Sequence, residues 1–429
     1  MIIRTGMFLF LALALGGCEN AKDLPLMGRY VAKNVCASIW QEGYNQQAAV
    51  AYVTNVAPFI QPSWKVQVGD GAVQVDNYWF PWISSKHASI VGTDPRTDCR
   101  NHYLDRQLAY YYPIPLAPDS GLITQIDPNS ALQGYLQSVV NVGAPEHTTA
   151  ILVLKGNAVV AEAYRDGLGP DSPLKGFSMS KSFANLLIGR LAGRGELHQD
   201  DAMLLQGWEL DQRSLITYDH SLHMASGLQW HEASLGKEND QGQMLYNSAD
   251  PVVYAAGKGV AQQPGQVFNY SSGDFMNLAT ALVRYEDWFD PGWDLESSFT
   301  LEFSPDGLVP LLGEGVYLTT RGWAALASIY MHGGELNGHS ILTPEWVSYS
   351  LTPSSTNYDY GAGIWLNLGQ NLFPELPADV FAFAGSYDRY VVAVPSVDVV
   401  VVRIGFSAQP DDFDMGRFVS NVLELVPQP

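Results

Sequence analysis

The residues of this chain with the clearest chemical potential are Ser178 and Lys181, three positions apart at the start of a helix-patterned segment. On a helix, side chains at this spacing share a face. A serine hydroxyl is a weak nucleophile at neutral pH, and a desolvated lysine can become the neutral base that activates it. The pair therefore predicts nucleophilic catalysis. The alternative is that Ser178 caps a core helix and Lys181 is a solvated first-turn residue.

The Ser-x-x-Lys pattern occurs in two further places, beginning at Ser172 and at Ser234. Both of those copies lie in sequence that contains glycine or proline and lacks a helical pattern. Only Ser178 leads into apolar residues at helical spacing, from Phe183 to Leu191. We therefore expect the Ser178 copy to be the functional one.

The elements that position this pair are strands on both sides of a largely helical region, from about 178 to 345. Alternating or continuous apolar patterns predict a hairpin before this region, at 150–154 and 158–164. They predict four strands after it, at 360–367, 380–384, 390–394 and 399–405. A C-terminal amphipathic helix is predicted at 413–426. Such segments close best into one antiparallel sheet with an inserted helical lobe, an α/β (α+β) fold. The active site is then expected in the groove between the two lobes.

The first eighteen residues predict a lipoprotein signal peptide. A short apolar run follows Arg4 and ends in small residues before Cys18, and it is too short to cross a bilayer as a helix. The segment resembles a bacterial lipobox, which implies cleavage before Cys18 and acylation of that cysteine. An ordinary signal peptide cut nearby is the alternative. We expect a lipid-anchored protein on the periplasmic side of a bacterial cell envelope.

The two other cysteines, Cys36 and Cys99, form an even pair in an oxidising compartment and predict a disulfide. Two buried free thiols are the alternative. A hairpin signal around Gly69-Asp70-Gly71 lies between them. We expect a small extension at 19–110, a Pro-rich linker at 112–118 and a main domain at 111–429.

Charge and composition exclude some partners. The net charge of −21 disfavours nucleic acid and anionic lipid headgroups, because both would be repelled. The nine histidines are scattered, and His231-Glu232 lacks the second histidine of a zinc helix motif. We expect no metal and no cofactor, and a small ester, amide or peptide-like substrate as the partner.

Three ordered motifs carry a family resemblance: Phe177–Ser182, His223–Leu228, and Pro264-Gly265 leading to Tyr270–Gly273. Over roughly residues 30 to 406 the chain resembles the serine β-lactamase and penicillin-binding-protein superfamily. Its closest branch is the class C-type serine hydrolases, which include 6-aminohexanoate-dimer hydrolases and esterases. The resemblance implies a β-lactamase/transpeptidase-like fold, with Ser178 as nucleophile, Lys181 as base and Tyr270 as proton relay. Ser272 falls where relatives carry Asn or Ser.

The third family motif departs from the pattern. Relatives of this branch usually read Gly-His-Asp-Gly-Gln, whereas this chain reads Gly385-Ser386-Tyr387-Asp388-Arg389. Ser386 replaces the basic residue and Asp388 replaces a glycine, unless Gly385 itself aligns with the motif glycine.

Three further residues are candidates for substrate or oxyanion contacts: Ser272, Gly385 and Ser386. The backbone N–H of Ser178 at a helix N-terminus would be a further oxyanion donor. Strand alternation directs Arg389 away from the groove, so small neutral esters or amides are the expected substrates. The alternative is a weakly active or inactive lipoprotein of this fold that binds peptidoglycan or a protein partner.

Overall fold

The computed structural model describes residues 23–40, 42–54, 64–69, 72–77, 87–90, 100–101, 111–113, 122–141, 147–233, 239–289, 299–407 and 412–426. The α-helices in these ranges are α1 Asp23–Trp40, α2 Gln46–Thr54, α3 Ala131–Val140, α4 Ser180–Gly193, α5 Tyr218–Leu222, α6 Asp240–Gly242, α7 Pro251–Ala256, α8 Ser272–Leu282, α9 Thr320–Met331, α10 Pro344–Ser350 and α11 Met415–Leu425. The strands are β1 Trp64–Gly69, β2 Ala72–Asn77, β3 His87–Ile90, β4 Arg100–Asn101, β5 Tyr111–Pro113, β6 Ile123–Thr124, β7 Thr148–Lys155, β8 Ala158–Tyr164, β9 Leu174–Lys175, β10 Phe299–Glu302, β11 Val316–Leu318, β12 Glu335–Leu336, β13 His339–Ser340, β14 Trp365–Leu366, β15 Phe381–Gly385, β16 Arg389–Val394 and β17 Val399–Gly405.

The main sheet has seven strands in the order β14-β15-β16-β17-β7-β8-β6, with every pair antiparallel except β6–β8. The two central strands, β17 and β7, are buried along almost their whole length. Alternate residues of β7 enter two different cores, Leu152 and Leu154 on one face and Ile151 and Val153 on the other. Helix α9 covers the first face, and α3 and α11 cover the second. The predicted sheet built from both ends of the chain is therefore confirmed.

The helical lobe is inserted between β8 and β14, and α4 is buried along most of its length within it. A second sheet, in the order β5-β10-β11-β9, interrupts this region, which the sequence predicted as largely helical. Its strand β5 lies at the start of the segment predicted as a linker. Pro113 is tolerated there because β5 is an edge strand with a free side in this sheet.

The segment 360–367, predicted as one strand, is a strand only at Trp365–Leu366. Gly361 explains the difference, because a Cβ at that position would lie 2.2 Å from the carbonyl oxygen of Ser350. Gly363 has a φ of +75° and packs against the backbone of Lys181. The segment is therefore a close-packed loop against the helix that carries the candidate base.

The N-terminal segment combines helices with a sheet in the order β1-β2-β3-β4. The predicted hairpin is present, with Val66 opposite Val75 and Gly69 opposite Ala72. Helix α1 packs on this sheet and also reaches the main body, where the Lys33 ammonium lies 2.7 Å from a carboxylate oxygen of Glu302.

Cys36 is buried in α1 and disulfide-bonded. The signal peptide, Cys18 and Cys99 lie outside the described residues, so the Cys36–Cys99 pairing and the domain boundaries stay predictions. Among the helices that the structure describes, none has the length and apolarity to cross a membrane.

Candidate functional site

The candidate nucleophile lies in a 3₁₀ turn, Phe177–Met179, that runs directly into α4. Its neighbours in the turn are buried, and Ser178 itself is partly exposed. Phe177 has a φ of +48°, a left-handed conformation that is costly for a bulky residue and that concentrates at functional sites. Its ring is held between two cations, with Lys175 Nζ and Arg389 Cζ each 4.9 Å from the ring centroid. These contacts fix the turn that presents Ser178.

Lys181 is buried in the first turn of α4 and lies beside the serine, as the spacing predicted. Its Nζ lies 2.9 Å from Ser178 Oγ, 3.0 Å from Ser272 Oγ and 2.9 Å from the carbonyl oxygen of Gly313. A neutral amine at this position can take the hydroxyl proton of Ser178. The geometry is that of a nucleophile paired with its base.

Ser272 begins α8, and its side chain is 1% exposed. Its hydroxyl accepts from Lys181 and donates to Glu232 Oε1 at 2.5 Å. Its backbone N–H donates to Glu232 Oε2 at 2.8 Å. Ser272 is therefore bonded to the base, although the sequence suggested it as a substrate contact.

Glu232 is a residue of the site that sequence reasoning missed. Its carboxylate also accepts the indole N–H of Trp230 at 2.5 Å, so both oxygens are engaged. The available signal was its position four residues after the 223–228 motif, in sequence that was considered only for zinc binding.

Tyr270, the predicted proton relay, lies on the other side of the base. Lys181 Nζ is 4.9 Å from the centroid of its ring, which stacks on Trp365 and meets Tyr360 edge-on. None of the hydrogen bonds described for Lys181 goes to the Tyr270 hydroxyl. The structure thus brings Tyr270 to the site and holds its ring in place, and its role stays a prediction.

Gly385 ends β15 directly against the nucleophile turn. A Cβ on Gly385 would lie 2.2 Å from the carbonyl oxygen of Gly176, so only glycine fits. Ser386 is exposed in the turn that follows, where Tyr387 and Asp388 have φ angles of +67° and +54°. The close approach to the nucleophile turn requires glycine at 385, and the alignment of Gly385 with the motif glycine stays a prediction.

Arg389 does not face the groove. Its side chain is fully buried, and its guanidinium donates to Glu42 Oε1 at 2.8 Å and to the carbonyl oxygen of Gly405 at 2.9 Å. Burial alone would lower the pKa of Arg389, but Glu42 outweighs it and raises that pKa. The guanidinium is thus already neutralised within the protein, and the exposed Ser386 carries no charge.

The other candidate motifs have structural partners. Lys175 pairs with Glu302 at 2.9 Å, and the Ser172 hydroxyl accepts from the backbone N–H of Gly169. The copy at 234–237 lies outside the described residues. His223 Nδ1 is 2.9 Å from Asp219. In the ranges that the structure describes, no group of three or more His, Cys, Asp or Glu residues could hold a metal ion.

The segment that carries the candidate site matches a known family model. Residues 144–290, which include Ser178, Lys181, Glu232 and Ser272, match the family model described as Beta-lactamase. The resemblance to the β-lactamase superfamily is confirmed. The chain is 25% identical over 236 residues to the 6-aminohexanoate-dimer hydrolase of Paenarthrobacter ureafaciens. That alignment covers 48% of this chain and 58% of the relative.

Solved structures show the same β-lactamase-like fold. A Bacillus anthracis protein assigned as a 6-aminohexanoate-dimer hydrolase aligns with a TM-score of 0.59 at 17% identity, over 75% of this chain and 93% of that protein. EstCE1, a hydrolase with promiscuous acyltransferase activity, aligns with a TM-score of 0.51 at 14% identity, over 69% and 97% of the two chains. A penicillin-binding protein from Bacillus halodurans aligns with a TM-score of 0.50 at 15% identity, over 67% and 99%.

Proposed function

We propose that this β-lactamase-like protein is an exported serine hydrolase that cleaves a small ester or amide through an acyl-enzyme on Ser178. The observation that carries the proposal is the buried Lys181 amine, 2.9 Å from a partly exposed serine hydroxyl. The name of the Paenarthrobacter relative, a hydrolase of an amide dimer, supports the same reaction class.

Each half of the reaction, acylation and deacylation, needs two proton transfers. Neutral Lys181 takes the proton of Ser178 Oγ as that oxygen attacks the carbonyl carbon. The bond to the leaving group then breaks, and the leaving group receives the proton from Lys181 by way of Tyr270. Water then attacks the acyl carbon while Lys181 and Tyr270 take one of its protons. The bond from that carbon to Ser178 Oγ breaks, Ser178 Oγ receives the proton from the same groups, and the acid leaves. The backbone N–H groups of Ser178 and of the residue after Gly385 are the proposed oxyanion donors.

The substrate is proposed to be neutral at the reacting end. A bound carboxylate needs a fixed positive partner because burying an unpaired anion costs several kcal/mol. Arg389 is bonded to Glu42, and Lys175 is bonded to Glu302. The motif residue nearest the groove, Ser386, has no charge to offer.

The location is proposed from the sequence of the first eighteen residues. A signal peptide that ends at Cys18, with acylation of that cysteine, would anchor the protein on the periplasmic side of a bacterial membrane.

The test is mass spectrometry of the intact protein during turnover of p-nitrophenyl acetate. We expect an acetyl adduct on Ser178, and a loss of kcat/KM of about 10⁴-fold in Ser178→Ala and nearly as much in Lys181→Ala. Ser172→Ala is the matched control, since it removes the serine of another Ser-x-x-Lys copy, and it should retain activity. Substantial turnover by Ser178→Ala would exclude the assignment. Tight binding of peptidoglycan fragments without an adduct would favour the non-enzymatic lipoprotein.

A further inference from the structure

Glu232 is the fixed end of a hydrogen-bond chain that begins at the candidate base. Its Oε1 accepts the Ser272 hydroxyl, and its Oε2 accepts the Ser272 backbone N–H and the Trp230 indole N–H. With both oxygens engaged, the carboxylate is held in one orientation. Ser272 Oγ lies between it and Lys181 Nζ, at 2.5 and 3.0 Å from the two groups.

The direction of these bonds is set by the chemistry of the groups. A lysine ammonium only donates, so Ser272 Oγ accepts from Lys181 and gives its own proton to the carboxylate. The same ammonium donates to Ser178 Oγ and cannot take a proton from it. Lys181 must lose one proton before it can act as a base.

We propose that Glu232 is a positioning residue that receives this proton through Ser272 and so keeps Lys181 competent as a base at neutral pH. The inference rests on the proposed role of Ser178 as nucleophile. One N–H bond of Lys181 breaks as a new O–H bond forms on Ser272 Oγ, and the original Ser272 proton moves to Glu232 Oε1. The pair passes from ammonium and carboxylate to amine and carboxylic acid, with no change in total charge.

Glu314 is another carboxylate near Ser272, and it does not provide this route. It is reached only through the Gln241 amide, which lies 3.5 Å from Ser272 Oγ and 3.2 Å from Glu314 Oε2. The amide N–H₂ donates toward both oxygens and has no acceptor site to receive a proton. Glu314 also already accepts the Tyr246 hydroxyl at 3.0 Å.

Other titratable groups lie near this hydrogen-bond chain. Tyr270 packs against Lys181, and Asp274 and Tyr360 both feel the charge of Glu232. The Asp240–Lys258 ion pair lies behind Trp230. Burial raises the pKa of Asp274 to about 7, so it titrates in the range of interest. Asp240 accepts from the backbone N–H of His231, next to Glu232 in sequence, and provides a matched carboxylate outside the chain.

The experiment measures the rate of Ser178 labelling by a fluorophosphonate, and kcat/KM for p-nitrophenyl acetate, from pH 6 to 10. In Glu232→Gln and in Ser272→Ala, Lys181 must release its proton to water. We therefore expect both rates to fall by at least about 10²-fold at pH 7 and to recover with alkali, so that the acidic limb of each profile moves to higher pH. Asp240→Asn should keep the wild-type profile, and the shift should persist when Asp274→Asn is added.

The outcomes separate the two claims. If wild type is labelled on Ser178 but Glu232→Gln slows labelling equally at all pH values, Glu232 has a structural role and the inference fails. If the acidic limb of the Glu232→Gln profile moved to lower pH, Glu232 would only stabilise the protonated form of Lys181. That result would also overturn the inference. If wild type shows no Ser178-dependent reaction, the proposed function fails and this inference fails with it. Should Glu232→Gln not fold, as judged by circular dichroism, the Ser272→Ala profile decides.

Discussion

At the scale of single residues, Asp274 is the most unusual group beside the site. It is 1% exposed, and its Oδ1 accepts the Ser226 hydroxyl at 2.7 Å. Its Oδ2 has no hydrogen-bond partner among the described residues. Burial raises the pKa of Asp274 to about 7, only partly offset by the hydroxyls of Ser226 and Ser271. A carboxyl group in this setting is kept protonated at the expense of stability at higher pH.

The sign of the effect follows from proton counting. The unfolded chain loses the Asp274 proton near pH 4, whereas the folded protein holds it until about pH 7. The free energy of unfolding should therefore fall between these values and level off above them. We expect Asp274→Asn to remove this fall and to raise stability at pH 8 by on the order of 1–3 kcal/mol. Urea denaturation at pH 5 and pH 8 measures it.

Asp219 provides a control of opposite sign. Burial alone would raise the pKa of Asp219, but its bond to His223 outweighs burial and lowers it. Asp219→Asn should therefore lose stability at neutral pH relative to acid. Equal pH dependence of wild type and Asp274→Asn would show that the Asp274 carboxyl is not the group responsible.

The residues of the site differ in how far they could be predicted. Ser178 and Lys181 are neighbours on one turn, so local spacing determines their contact. The partners of the base and of the nearby cations come from distant sequence: Ser272 is 91 residues after Lys181, and Glu42 is 347 residues before Arg389. Such contacts depend on how elements pack, and no periodic pattern in the sequence records them.

At the scale of elements, the β15–β16 hairpin lies directly beside the turn that presents Ser178. Tyr387 and Asp388, the two left-handed residues of its turn, are held by Arg403. The Arg403 guanidinium donates to their carbonyl oxygens at 3.0 and 2.6 Å. Arg389, the one cation of the hairpin, begins β16, and its side chain is buried rather than exposed beside Ser386. The exposed position nearest the nucleophile turn is Ser386.

This arrangement predicts substrate preference. We expect kcat/KM for p-nitrophenyl acetate to exceed that for nitrocefin by at least about 10²-fold, because the described cations beside the nucleophile turn, Lys175 and Arg389, are already paired with carboxylates. Ser386→His should narrow that ratio at pH 6, where the imidazole carries charge.

Ser386→Asn is the neutral control of similar length to histidine and should leave the ratio unchanged. Efficient nitrocefin hydrolysis by the wild-type protein would show that another group supplies the positive charge.

Elements with strong apolar patterns were the easiest to predict. Val399–Val402 is a continuous apolar run because helices cover both faces of the sheet. The strand predicted at 360–367 was largely wrong, because backbone contacts at the glycines prevent a regular strand there. At 111–113, where the predicted linker begins, a short strand forms because β10 supplies a distant partner.

At the scale of the whole molecule, a network of buried charges joins the N-terminal segment to the body. Glu302 receives Lys33 at 2.7 Å and Lys175 at 2.9 Å, and all three side chains are less than 5% exposed. Burial alone would raise the pKa of Glu302, but the two ammonium groups outweigh it and hold that pKa far below its ordinary value. Breaking a buried pair by removing one partner leaves an incompletely compensated charge.

We therefore expect Lys33→Met to lower the free energy of unfolding by roughly 2–4 kcal/mol in urea denaturation followed by tryptophan fluorescence. Lys65→Met, at an exposed position of β1, removes the same charge and should change it by less than about 0.5 kcal/mol. If the two variants unfold at the same urea concentration, α1 contributes no charge compensation to the body.

This network of buried charges also constrains the order in which parts of the protein can fold. Lys33 and Glu42 are synthesised before their partners, Glu302 and Arg389, which follow 269 and 347 residues later. Contacts of such long sequence separation form late and make folding slow. Until the N-terminal segment docks, Glu302 is paired with Lys175 but not with Lys33, and Arg389 lacks the Glu42 carboxylate. Arg389 also flanks the Phe177 ring that supports the nucleophile turn. The turn that presents Ser178 should therefore reach its final form only after the N-terminal segment has docked against the segments that carry Glu302 and Arg389.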